Sequence, residues 1–210
     1  MFSLSPDAPP ALPFWIDGHA VLTLGERLDD VPNPAQGEVL RRVPVCGAAD
    51  AQRAVAPARL APAAWAALDP ARRQAQLAAL AAALAGYAPH FARLLGEDAG
   101  LTAPLAAEEI AAAERALLAP TAASALPSIQ LLLPGNNDTA PFLDAVRRLA
   151  TALSAGAAVV LLTPVCAAAP LLALAELAAR SGFPAGVLNV VHGDAESAQA
   201  LRRAVADASA

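Results

Sequence analysis

Three short apolar runs between Ser128 and Val191 constrain this chain more than any other feature. Ser128 to Leu133 reads Ser-Ile-Gln-Leu-Leu-Leu, Ala157 to Leu162 reads Ala-Ala-Val-Val-Leu-Leu, and Gly186 to Val191 reads Gly-Val-Leu-Asn-Val-Val. Between the first two lie a polar break from Pro134 to Pro141 and a helical run to Leu153. A second helical run, from about Ala167 to Arg180, separates the second and third. Apolar runs of strand length alternating with helical segments that end near a glycine predict βαβαβ with a parallel sheet. Right-handed crossovers put both helices on one face of that sheet. The pattern predicts an open α/β sheet of the Rossmann type and names no ligand.

The 210 residues suit one domain with an appendage, and a 57% apolar content can fill a sizeable core. A net charge of −5 without a basic stripe speaks against nucleic acid and anionic membrane as partners. The N-terminus lacks the basic-then-apolar layout of a signal peptide, and no apolar run is long enough to span a bilayer. The expectation is a cytoplasmic protein. All 14 basic residues are arginine, which excludes a Walker loop, a Schiff-base lysine and any lysine-anchored phosphate site. Cys46 and Cys166, far apart and in no metal spacing, read as two reduced thiols, so no metal site is expected.

Taken in order, residues 1–13 read as a mobile N-terminus. Residues 14–126 form an arm and a helical part, and residues 127–210 the Rossmann-like part of one domain. Two extended runs flanking Gly18-His19 suit a small β-hairpin. Val31 to Val39 reads as a turn cluster leading into extended chain to Val45. Asp50 can cap a helix bearing Val55 and Leu60, which Pro57 and Pro62 should shorten or kink. Asp69-Pro70 opens the next helix with a cap followed by proline, and Leu77, Leu80 and Leu84 mark its buried face. Phe91, Leu94 and Leu95 continue after Pro89, and Glu108 to Leu118 form a further helix.

The succession of Trp15-Ile-Asp-Gly18, Val31-Pro-Asn-Pro-Ala-Gln-Gly-Glu38, Arg53-Ala-Val55 and Ala63-Ala-Trp65 resembles the arm and first helix of the aldehyde dehydrogenase superfamily. Pro141 through Gly156 and Gly182-Phe-Pro-Ala-Gly-Val-Leu-Asn-Val-Val191 resemble its nucleotide-binding core. The likeness runs over about residues 13–210 and corresponds to the N-terminal half of the family, in a degenerate and truncated form.

The resemblance implies a NAD(P)-dependent fold, and several positions depart from it. The family's Pro-Trp-Asn-Phe-Pro loop, whose Asn donates an oxyanion-hole hydrogen bond, places Thr139 at the Asn position. Asn136 or Asn137 serves instead only if the loop slides along the chain; on the residues alone both are strand-to-helix turn formers. The family's Val-Val-Leu-Lys-Pro-Ser-Glu, whose Lys and Glu hold the adenosine ribose, places Leu162 at the Lys position and Val165 at the Glu position. In the glycine-bearing segment after the third strand Gly193 remains, while the next glycine is Ala195. Cys166 is not the family nucleophile, which lies in the half this sequence lacks. His192 ends the third strand, where open α/β sheets bind ligands. A lone histidine there also reads as a solvated turn residue.

The expectation is a non-catalytic pseudoenzyme serving assembly or regulation, with no cofactor. The alternatives are the NAD- or NADP-binding half of a split dehydrogenase, and a small-molecule binder using the strand C-terminal crevice. In the doubly wound order the first strand is central, and the sequence stops where a fourth strand would begin. Ser128 to Leu133 is therefore expected to be an open edge for self-association or a protein partner.

Overall fold

A computed structural model describes residues 8–23, 27–119, 128–133 and 139–209. Its main sheet carries the three predicted parallel strands, β5 (Ile129–Leu132), β6 (Ala158–Thr163) and β7 (Leu188–His192). β6 lies in the middle of the three, pairing Ile129 with Ala158 on one side and Val159 with Leu188 on the other. All six β6 residues are buried, as a parallel strand covered on both faces requires.

The crossovers α5 (Pro141–Ser154) and α6 (Ala168–Arg180) lie together on one face, where Phe142, Leu149, Leu153, Leu171 and Leu174 meet Val159 and Leu161. The opposite face is covered by α1 (Ala48–Ala66) and α7 (Ala195–Ser209). There Ala54, Val55, Ala58, Ala198 and Leu201 meet Val160, Leu162 and Val191. The outer helices α2 (Pro70–Gly86), α3 (Ala88–Ala99) and α4 (Ala103–Leu118) extend the first layer, burying Leu77, Leu80, Leu84, Phe91, Leu95 and Ile110. Among the described residues no helix is long and apolar enough to cross a membrane.

Several expectations are corrected. The hairpin β1 (Phe14–Ile16) and β2 (His19–Val21) does not merely pack on the sheet. β1 pairs antiparallel with β7 at Trp15 and Val190, giving five strands in the order β2-β1-β7-β6-β5. Its turn is Asp17-Gly18, with φ of 54° and 75°, so His19 belongs to the strand. The non-glycine left-handed position is held by Asn189, whose Oδ1 accepts the Asp17 amide at 2.9 Å.

Val31 belongs to a strand, β3 (Leu28–Pro32), which pairs with β4 (Val39–Pro44) in a separate two-stranded sheet. Residues 10–12 of the expected mobile end run along β4, with hydrogen bonds from Arg42 N to Pro10 O and from Leu12 N to Arg42 O, both at 2.8 Å. Residues 1–7 lie outside the described residues. α1 continues through Pro57 and Pro62, and α4 begins at Ala103 with Pro104 in its first turn.

Buried polar groups finish the helix ends beneath this layer. Trp65 Nε1 donates to Leu153 O at 2.9 Å, near the end of α5. Arg73, only 6% exposed, donates to Ser154 O at 3.0 Å, to Ala66 O at 3.1 Å and to Leu68 O. A cation among carbonyls at two helix C-termini satisfies acceptors that no helix can satisfy for itself.

Candidate functional site at the strand ends

The C-terminal ends of β5, β6 and β7 open into a crevice of about 160 Å³ lined by Leu133, Leu162, Thr163, Pro164, Gly193, Asp194, Ala195, Ala198 and Arg202. This is where an open α/β sheet offers a ligand site, because the connections to the helices diverge there. Most of its polar groups already have partners within the chain.

Asp194 stands at the start of α7. Its Oδ1 accepts the amides of Glu196 at 2.9 Å and Ser197 at 3.1 Å, which caps the helix. Its other oxygen pairs with Arg27. The Arg27 hydrogen bond, followed by the α7 amides, holds this carboxyl down at about 2. Ser197 donates its hydroxyl to Cys46 O at 2.8 Å, and Cys46 N donates to His192 O at 2.9 Å, binding the entry of α1 to the end of β7. Gly193 sits inside this web, where a Cβ would come within 2.6 Å of Ser197 Cβ.

His192 is fully buried, which overturns its reading as a solvated turn residue. Its Nε2 faces Pro13 O at 3.0 Å and its Nδ1 faces Thr163 Oγ1 at 2.6 Å. Burial pushes the imidazole down to about 4, so the ring is neutral at pH 7. Engaged at both nitrogens, the ring anchors the arm.

A second cavity, of about 200 Å³, lies between α3, α4 and the starts of α5 and α6; Asp98, Glu109, Thr139, Pro141 and Cys166 line it. Asp98 Oδ2 accepts the Ala169 amide at 2.9 Å, and Glu109 Oε1 accepts the Leu143 amide at 3.0 Å. Each carboxylate serves the first turn of a crossover helix. Burial raises Asp98 to about 6, against the pull of the Ala169 amide and of Arg41 at 3.4 Å, and burial raises Glu109 as well. Burial also pushes the Cys166 thiol upward, and the nearby Asp98 charge adds to that shift, which disfavours the thiolate.

The positions singled out in the sequence are thus divided between two places. Leu162, Gly193 and Ala195 share the strand-end crevice. Thr139 is exposed at the rim of the other cavity. Val165 is absent from the crevice lining; it packs beside Val31, Val43 and Ala168 under the β3–β4 sheet. Asn136 and Asn137 lie outside the described residues. Sequence reasoning missed Asp98, Glu109 and Asp194. Only Asp194 carried a local signal, an acidic residue two positions before a helix glutamate. Among the described residues no group of three His, Cys, Asp or Glu side chains is placed to hold a metal.

Residues 25–130 and 138–206 match the profile described as "Aldehyde dehydrogenase family". The chain belongs to this family. Aminoacetaldehyde dehydrogenase of Pseudomonas aeruginosa is 33% identical over 208 residues, covering 88% of this chain and 41% of its own length. Among solved structures, lactaldehyde dehydrogenase of Escherichia coli superposes with a TM-score of 0.81 at 28% identity, covering 92% of this chain and 45% of that one. Indole-3-acetaldehyde dehydrogenase of P. syringae, in complex with NAD+, reaches a TM-score of 0.80 at 29% identity, covering 93% and 44%. The chain therefore spans about 41% of the length of that P. aeruginosa dehydrogenase. The parallel sheet is the family's NAD(P)-binding type of fold.

Proposed function

We propose that this chain is a non-catalytic member of the aldehyde dehydrogenase family, a module whose strand-end crevice does not retain a dinucleotide. The observation that carries this reading is the lining of the crevice at Leu162. Where the resemblance expects a lysine for the adenosine ribose, a side chain only 7% exposed fills the wall with methyl groups. The expected glutamate is Val165, which packs under the β3–β4 sheet. The hydroxyl of Thr163 is taken by His192, and the carboxylate of Asp194 by α7 and Arg27. A ribose entering here would leave its hydroxyls unpaired.

Each lost ribose contact costs about 1–3 kcal/mol, and two together lower affinity by roughly 10²–10⁴. Calorimetric titration of the chain with NAD and with NADP is expected to give no binding heat at micromolar concentration. Micromolar affinity for either would overturn the reading. Aldehyde oxidation by the chain alone is expected to be absent, and unchanged by Cys166→Ser.

A second reading, the cofactor half of a split dehydrogenase, is favoured by one observation. The chain matches along 88% of its own length while covering 41% of a full dehydrogenase. It requires dinucleotide binding, so the same titration separates the two.

A further inference from the structure

We infer that Asp98 works a proton-sensitive clamp: uncharged, it secures the β3–β4 sheet and the start of α6 to α3, and ionised it favours their parting. Asp98 reaches both elements from the last turn of α3. Its Oδ2 accepts the Ala169 amide at 2.9 Å, and its Oδ1 lies 3.4 Å from Arg41 Nη1 on β4. Arg41 gives its closer contact to Glu97, which also takes Arg93. Among the described residues Oδ1 is thus buried with a long ion pair and no hydrogen bond.

The turn Val165–Ala167 leads into α6 beneath these attachments. Val165 packs with Val31 and Val43 of the β3–β4 sheet, while Cys166 and Asp98 line the cavity of about 200 Å³. Pro164, directly before the turn, lines the strand-end crevice. The clamp therefore grips the short turn that joins crevice and cavity.

The direction follows from burial. An ionised carboxylate whose second oxygen lacks a donor is held out of water poorly compensated, and a proton removes that penalty. Arg41 attracts the charge and Glu97 opposes it, while Cys166 and Glu109, which share the cavity, bring no positive charge. Burial raises Asp98 to about 6, from 3.8 in water. Opening hydrates Oδ1 and returns the group toward the lower value, so the closed form holds the extra proton. Its advantage is complete below about pH 4 and is lost as pH rises to about 6. The inference is independent of whether the crevice takes a dinucleotide.

Hydrogen exchange by NMR between pH 4 and pH 8, corrected for intrinsic rates, reads the clamp at the Ala169 amide. Amides of the central strand β6, released by global unfolding, give the internal reference. Relative to them, Ala169 protection is expected to fall by roughly tenfold to a hundredfold and to level off near pH 6, since each pH unit between the two values contributes up to tenfold. Asp98→Asn cannot titrate and should keep that ratio constant with pH. Arg41→Gln retains the carboxylate without its counter-ion, so the level stretch should begin at higher pH. This variant also tests the clamp if Asp98→Asn fails to fold. Ala169 protection that is constant or rises with pH in the unaltered chain overturns the inference. So does the same pH response in Asp98→Asn, or an unmoved levelling point in Arg41→Gln.

Discussion

The side chains of Thr163 and His192 meet at the ends of neighbouring parallel strands, with Oγ1 and Nδ1 2.6 Å apart. The ring's other nitrogen faces Pro13 O at 3.0 Å, and a carbonyl can only accept. Nε2 therefore carries the proton, and Nδ1 receives the threonine hydroxyl. One neutral imidazole thus holds the second strand, the third strand and the N-terminal arm together.

That arrangement predicts a pH dependence that a second group hides. His192 is depressed to about 4 in the folded chain, from 6.5 unfolded. Between those values the unfolded chain holds more protons, so stability falls as pH falls, by about 3 kcal/mol at most. Asp98 is raised to about 6 from 3.8, so the folded chain holds the extra proton and stability falls as pH rises. Arg41 and Glu97 are the charges facing it. The two slopes oppose each other between about pH 4 and pH 6. Urea midpoints of the unaltered chain should be nearly flat there. Asp98→Asn should lose stability on acidification, and His192→Gln should gain it. Identical profiles for all three proteins would refute this account.

Gly193 makes the sharpest mutational test of the strand-end web. Its φ of 153° and the nearness of Ser197 leave no room for a Cβ. Gly193→Ala should cost about 2–4 kcal/mol. Ser197→Gly clears that space, so the double variant should be less destabilised than the sum of the two single changes. Strict additivity in denaturant melts would show that Ser197 is not the obstacle.

Arg73→Met keeps the methylene stem and removes the guanidinium that serves Ser154, Ala66 and Leu68. Buried acceptors left without a donor should cost about 2–4 kcal/mol. Thermal and urea unfolding both report it. A loss below about 0.5 kcal/mol would mean that water replaces the arginine without penalty.

The thiols should react in order. Burial pushes Cys46 up to about 12 and raises half-buried Cys166. Stopped-flow reaction with Ellman's reagent at pH 8 should be slow for Cys166 and should await unfolding for Cys46. Fast modification of both in the native chain would contradict the burial described above.

What the sequence made legible was whatever rests on local period. The runs at 129–132, 158–163 and 188–192 announced themselves as short apolar stretches, two of them rich in β-branched residues, and Asp69-Pro70 announced α2 by its cap. The hairpin of β1 and β2 was legible too, but the pairing of β1 with β7 was not, because it is a single short antiparallel contact between Trp15 and Val190, which no local pattern encodes. Pro57 and Pro62 suggested a break in α1. Burial of Ala54, Val55, Ala58 and Trp65 along one face outweighs the missing amides. At the crevice, the residue types at Leu162, Gly193 and Ala195 could be read from the family pattern. Their distance from Val165 and Thr139 could not, because it depends on how the turn after β6 rolls toward the β3–β4 sheet.

The bond from His192 to Pro13 joins residues 179 positions apart. During synthesis at about 5–20 residues per second, the arm must wait roughly ten to forty seconds for its partner strand to be made. Through that interval Phe14 and Ile16, buried in the finished protein, remain uncovered. The arm is thus translated well before the strand that secures it, and a nascent chain halted before β7 would carry these apolar side chains uncovered.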